Sequence, residues 1–187
     1  MRIVGGRHRG RALAAPTGRD VRPTSDRTRQ ALFNILEHGD FFADDGPTVE
    51  GRVVLDAFCG TGALGLEALS RGAEAALFLD SSRASLDLAR TNATTLKETP
   101  RCQFIQGDAA KPPVARQAAQ LVFLDPPYGQ DLAPRALEAL SAAGWLAPDA
   151  LCVVEIGGDD TFAAPPGFNE VDDRRYGDTR VLILHRD

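Results

Sequence analysis

Val53-Val54-Leu55-Asp56-Ala57-Phe58-Cys59-Gly60-Thr61-Gly62-Ala63-Leu64-Gly65 decides the fold. A short apolar run ends in an acid, passes through a glycine-rich turn and enters an Ala/Leu-rich segment. That order predicts the first strand, turn and helix of a doubly wound α/β domain, with a ligand at the turn. An uninterrupted apolar strand is expected where helices cover both faces of a sheet.

Downstream of this unit, strand and helix patterns alternate. Strands are expected at 53–58, 75–80, 102–106, 121–124 and 151–156. Helices are expected at 63–71, 82–96 and 131–143. Such alternation implies a parallel sheet with right-handed crossovers. The tail breaks the pattern: 170–176, a turn at Gly177-Asp178, and 180–184 predict a closing antiparallel hairpin. Upstream, residues 1–14 suit a short hairpin with Arg7, Arg9 and Arg11 near its turn, and 15–23 read as loop. Thr24 or Ser25 caps a helix whose apolar face is Ala31, Leu32, Ile35 and Leu36, and which stops at Gly39. The expected division is an N-terminal basic extension at 1–51 and a core domain at 52–187.

A chain of 187 residues can bury a real core as one domain. No apolar run approaches a membrane span, and the first residues lack the apolar stretch of a signal peptide. Cys59, Cys102 and Cys152 are scattered, which suits reduced thiols in a cytoplasm. His8, His38 and His185 do not cluster, so no metal site is expected. The net charge of −5 is unevenly spread: residues 1–30 hold eight arginines and two acids, a net of +6, while the other 157 hold 13 basic and 24 acidic residues, a net of −11. A basic arm on an acidic body suggests one edge that faces a polyanion, against the plainer reading of a solvated, mobile terminus.

Gly60-Thr61-Gly62-Ala63-Leu64-Gly65 fits G-x-G-x-x-G, which dinucleotide and methyl-donor domains share. Asp80 follows Gly60 by 20 residues, where a strand-end acid can accept both ribose hydroxyls. Asp56 separates the two ligands. A carboxylate beside the turn would oppose a pyrophosphate, but it favours the ammonium and sulfonium of S-adenosyl-L-methionine. Asp108 could accept from the adenine amine while the Ala109 N–H reads the ring. The plainer readings are a helix-capping acid for Asp56 and a turn aspartate for Asp108.

Asp125-Pro126-Pro127-Tyr128 follows a second apolar run. Two prolines donate no backbone hydrogen bond and stiffen the chain. Asp125 and the Pro126 carbonyl can accept both hydrogens of an amine, and Tyr128 can stack on a base swung out of its helix or loop. This chemistry needs alignment rather than a covalent nucleophile.

On these residues the chain resembles the RsmD family of bacterial 16S rRNA guanine-N2 methyltransferases. The discriminating parts are Met1-Arg2-Ile3-Val4-Gly5-Gly6 with Arg9-Gly10-Arg11, Arg22-Pro23-Thr24-Ser25-Asp26-Arg27-Thr28-Arg29, and Leu32-Phe33-Asn34-Ile35-Leu36. The glycine turn and Asp125-Pro126-Pro127-Tyr128 are shared with many amino-methyltransferases. The resemblance implies a Rossmann-like class I fold with a seven-stranded, mostly parallel sheet and a C-terminal antiparallel hairpin. It implies S-adenosyl-L-methionine as donor, held by Asp56, Phe58, Gly60, Gly62, Asp80, Ser81, Asp108 and Ala109, with Arg22 and Thr24 packed over the site. It further implies a guanine N2 of 16S rRNA in the assembling small subunit as target, RNA contacts from Arg7, Arg9, Arg11, Arg27 and Arg29, and a monomer. Many members have Glu at the place of Asp80 and Phe at that of Tyr128. Alternatives are an adenine-N6 methyltransferase on DNA or RNA, a glutamine-N5 protein methyltransferase, a nicotinamide-dependent oxidoreductase and a non-catalytic RNA-binding factor.

Overall fold

A computed structural model describes residues 1–15, 25–39, 41–42, 46–127 and 131–187. Among these, seven strands form one sheet: β1 (Val53–Ala57), β2 (Ala75–Asp80), β3 (Cys102–Gln106), β4 (Ala119–Leu124), β5 (Leu146–Gly157), β6 (Phe168–Tyr176) and β7 (Thr179–Arg186). Their order across the sheet is β3-β2-β1-β4-β5-β7-β6. The first five run parallel, and β7 joins β5 antiparallel with β6 outside it. The closing hairpin therefore doubles back, so that its second strand lies against the parallel sheet. β5 starts five residues before the expected position, because Ala119 pairs with Leu146 before the register shifts.

Among the described residues, four α-helices cover the sheet: α1 (Asp26–His38), α2 (Ala63–Ser70), α3 (Arg83–Thr95) and α4 (Leu132–Ala142). Alternate strand residues feed two cores. Val54, Phe78, Phe123, Val153 and Ile183 face α1, α2 and α3, while Leu55, Leu77, Val122, Val154 and Leu182 face α4. Strands buried on both faces explain the continuous apolar runs. None of the described helices is long and apolar enough to cross a membrane.

The N-terminal segment is part of the first core rather than a solvated tail. Residues 1–13 fold back on themselves: Ile3 N–H donates to Arg11 O at 2.9 Å and Gly10 N–H to Ile3 O at 2.8 Å, with a 3-10 turn at Gly6–His8 between. Ile3 and Leu13 are buried with Leu32, Phe33 and Leu36 of α1. The Phe33 ring lies 5.5 Å from that of Phe123. The fold-back and α1 thus share the first core with β4, β5 and β7. Ser25 caps α1, its hydroxyl accepting the Thr28 N–H at 3.0 Å.

The fold-back sits on α2 through one acid. Glu67, fully buried, accepts Val4 N–H at 2.9 Å and Gly5 N–H at 2.7 Å. Ser70 adds two bonds, accepting from His8 N at 2.9 Å and donating to Gly5 O at 2.6 Å. The approach is close enough that a Cβ on Gly6, whose φ is +68°, would lie 2.0 Å from Ser70 O. Arg71 Nε lies 2.8 Å from Glu67, and Arg29 Nε 3.6 Å from it.

Candidate active site

The carboxyl ends of β1 to β5 place the candidate residues along one edge. Strand order reverses at β1 and β4, and that switch point is where open α/β sheets bind ligands. The last rung between them pairs Ala57 with Leu124. Phe58 and Asp125 are the next residues on the two strands, so the glycine turn and the proline-braced acid begin side by side.

The turn is built for a tight strand-to-helix passage. Phe58, Gly60 and Gly62 have φ of +60°, +52° and +75°. Gly62 is the N-cap of α2, with no side chain to bond the first turn. Asp56 does that job instead: its carboxyl accepts the Gly65 N–H at 2.8 Å. It is 2% exposed. Burial above all pushes its pKa up to about 8, with the like charge of Asp80 adding and the Gly65 N–H opposing. This is the plainer of the two sequence readings. Asp56 is the capping acid, and a carboxyl that holds its proton near neutral pH is a weak electrostatic filter against a pyrophosphate.

Asp80 ends β2 and is only half-buried. Its Oδ2 accepts the Gly60 N–H at 3.0 Å and its Oδ1 the Ser82 N–H at 2.8 Å. The carboxylate thus lies on the glycine turn and ties the ends of β1 and β2 together. Each oxygen keeps a further lone pair, as hydroxyl recognition requires. Ser81 beside it is exposed. Asp108 follows β3 and is exposed; it accepts the Ala110 N–H at 2.9 Å, the bond of a turn aspartate. Ala109 is buried in the second core. A Cβ on Gly60 would meet nothing nearer than Phe58 O at 4.0 Å. The residues therefore fit a methyl donor: an open glycine surface, a strand-end carboxylate on it, and an apolar Phe58 partly buried against the second core.

Asp125 is half-buried, Pro126 buried and Pro127 exposed. The two prolines line a cavity of about 280 Å³ between β4, β5 and α4. Glu155, which the sequence reading passed over, lines it too and is 7% exposed. Its signal was present: an acid inside the apolar run Leu151-Cys152-Val153-Val154-Glu155-Ile156. Tyr128, Arg22 and Thr24 lie outside the described residues.

Of the arginines expected at RNA, Arg7, Arg9, Arg11 and Arg27 are exposed. Arg9 and Arg27 line a groove with Arg2 and Gln30 between the fold-back and α1. Arg29 is the correction: it is fully buried, donates to Arg2 O and to Asp26 at 2.9 Å, and faces Glu67 rather than solvent. Its place on the inner face of α1, two residues from the exposed Arg27, could not be told from charge alone. Among the described residues no cluster of potential metal ligands occurs.

Comparison with known proteins agrees with this geometry. Residues 1–185 match the family described as conserved hypothetical protein 95. Ribosomal RNA small subunit methyltransferase D of Haemophilus influenzae is 33% identical over 95% of this chain and 89% of its own. The protein of the same name from Escherichia coli is 37% identical over 83% of this chain and 74% of its own. The solved structure of yhhF from Escherichia coli superposes with a TM-score of 0.82 at 32% identity, covering 100% of this chain and 98% of that one. The chain belongs to the conserved hypothetical protein 95 family, the family of the small-subunit rRNA methyltransferases D, and shares their class I methyltransferase fold.

Proposed function

We propose that this chain transfers a methyl group from S-adenosyl-L-methionine to the exocyclic N2 of a guanine in 16S rRNA of the assembling small ribosomal subunit, acting as a cytoplasmic monomer. The observation that carries the reading is the adjacency of the glycine turn and Asp125-Pro126 across the switch point, with a base-sized cavity beside them. The names of the relatives support rRNA as the substrate class.

The donor supplies an electrophilic methyl on a sulfonium and leaves as S-adenosylhomocysteine. Gly60 and Gly62 hold it on the turn, and Asp80 takes the ribose hydroxyls. Asp125 and the Pro126 carbonyl accept the two amine hydrogens, which leaves the nitrogen lone pair aimed at the methyl. With the donor bound, the Asp125 carboxylate would stabilise the positive charge that develops on the methylated nitrogen and would hand its surplus proton to water. Alignment of this kind supplies about 7–11 kcal/mol of barrier lowering. The exposed Arg7, Arg9, Arg11 and Arg27 hold phosphates. Arg22, Thr24 and Tyr128 lie outside the described residues and keep the donor and base roles that the family resemblance implies.

The test is to incubate the protein and labelled donor with under-methylated small subunits, naked 16S rRNA and DNA, then digest to nucleosides. N2-methylguanosine from the subunits is the expected product; N6-methyladenosine from any substrate overturns the assignment. Asp125→Ala is expected to lower turnover by at least about 100-fold, in the range of a lost transition-state contact, with S-adenosylhomocysteine binding retained. Near-full turnover in that variant removes Asp125 from the mechanism.

A further inference from the structure

Asn92 is a buried amide where three segments meet, and the transfer step does not use it. It sits on the inner face of α3 with Ala89 and Ala93 and is 1% exposed. An amide there is costly unless its polar atoms find partners. Its Oδ1 accepts the Ala14 N–H at 2.8 Å, and its Nδ2 donates to Ala14 O at 3.1 Å and to Thr61 O at 3.0 Å. A reversed amide would set donor against donor at Ala14 N and acceptor against both carbonyls, so the network fixes its orientation. Ala14 is thus held by both of its polar groups, as a neighbouring strand would hold it. Thr61 is the middle of Gly60-Thr61-Gly62. The other end of the fold-back reaches the same residue: Leu13 N–H donates to Met1 O at 3.1 Å, and Thr61 Oγ1 lies 3.7 Å from Met1 Sδ. Both ends of the segment converge on the glycine turn, while Ser70 holds its bend about 12 Å away, at the far end of α2.

We propose that Asn92 is a positioning residue for the methyl donor: it hangs the Thr61–Gly62 peptide on the docked N-terminal fold-back, so that donor affinity depends on the fold-back being in place. The inference rests on the reading above that the glycine turn holds the donor. Asn92 does for Thr61 what α2 cannot. At a regular helix start the Thr61 carbonyl would accept the Gly65 N–H, but Asp56 takes that group at 2.8 Å, and the first helical bond runs from Leu66 N to Gly62 O at 2.9 Å. Without Asn92 the carbonyl loses its donor, and the glycines on either side give the peptide no Cβ to resist rotation. A turn that holds the binding geometry only part of the time binds more weakly by that fraction. The segment that carries Arg7, Arg9 and Arg11 thus also readies the donor site.

The experiment measures S-adenosylhomocysteine affinity by calorimetry on the intact chain, well below its Tm, in wild type, two single variants and their double. Asn92→Leu removes the amide at similar size. Gly6→Ala acts at the far end of α2, where a Cβ would lie 2.0 Å from Ser70 O and must lift the fold-back. Asn92→Leu is expected to weaken binding about tenfold, the scale of one lost hydrogen bond. The donor KM should rise to match, with kcat at saturating donor within about threefold of wild type. Gly6→Ala is expected to weaken binding by at least about threefold, although it touches no residue of the turn. In the double variant the two losses fall short of their product, because the second acts through the first. An Asn92 that only stabilises the fold would lower Tm and leave affinity and donor KM unchanged, which overturns the inference. Unchanged affinity in Gly6→Ala overturns it too, as do losses that multiply in full. If Asn92→Leu or Gly6→Ala does not fold, Asn92→Ala or Ser70→Ala takes its place with the same outcomes. Gly60→Val, whose side chain would enter the open glycine surface, tests the parent reading separately: if it binds S-adenosylhomocysteine as wild type does, the turn does not hold the donor and that reading falls instead.

Discussion

Asp56 before α2 and Glu67 within it are both buried acids that accept backbone N–H groups, yet they are held in opposite ways. Asp56 caps α2 from nine residues away, and the charge that bears on it is the like charge of Asp80; burial pushes its pKa up to about 8. Glu67 reaches amides 62 and 63 residues away and sits between Arg29 and Arg71. The acid at the glycine turn is therefore a local device that tolerates being neutral. The acid under the N-terminal segment is the centre of a charged knot that joins three parts of the chain. The lesson is that a buried acid is defined by the cations folded in with it, not by its depth.

The largest way to break this comparison is Glu67→Ala. It leaves two buried guanidinium groups without their shared carboxylate and two amides without acceptors, and should cost about 3–5 kcal/mol in urea unfolding. A loss below about 1 kcal/mol would mean that the knot contributes nothing and the N-terminal cover is held by its apolar side chains alone. Asp56→Asn sharpens the other half. The folded pKa of about 8 lies above the unfolded value of about 3.9, so the folded state binds the extra proton. Stability from this group is full below about pH 4 and is lost as pH rises through about 8. The Asn variant keeps an acceptor for Gly65 and has nothing to titrate, so its Tm should fall less than that of wild type between pH 5 and pH 8. Parallel Tm curves would show that Asp56 ionises freely in the fold. The smallest effect on stability belongs to Arg7, Arg9 and Arg11 replaced together by Ala. These exposed side chains should leave Tm unchanged, while the slope of log affinity for 16S rRNA against log salt becomes shallower by about 2. An unchanged slope would take RNA phosphates away from these three residues.

Local chemistry made much of the fold legible. The turn at Gly60 to Gly65, the caps and the alternating runs are all settled by neighbours within a dozen residues, and the parallel order follows from them. Asp56 was visible with two roles, and the choice of the cap turns on Gly62, a left-handed N-cap with no side chain of its own. Arg29 was misplaced for a related reason. On a basic segment an arginine reads as a phosphate contact, and only the α1 face packed on Phe123 and Glu67 shows it turned inward. Glu155 escaped because the β5 run is apolar enough to mask one acid, and its neighbour Asp125 is 30 residues away in sequence while one strand away in space. What escaped in each case was a partner distant along the chain.

The docking of the fold-back also fixes an order of events. Val4, Gly5, His8 and Ala14 find their partners at Glu67, Ser70, Glu98 and Asn92, up to 90 residues further on. α1 rests on Phe123 and shares its core with Ile183 near the far end of the chain. Such distant closures come late in folding. Residues made before the core are thus among the last to settle, and the groove at Arg9 and Arg27 is complete only once the sheet beneath it has formed. A nascent or truncated chain carries the same arginines but not that surface, so the molecule presents its basic face only after synthesis has run to the final strands.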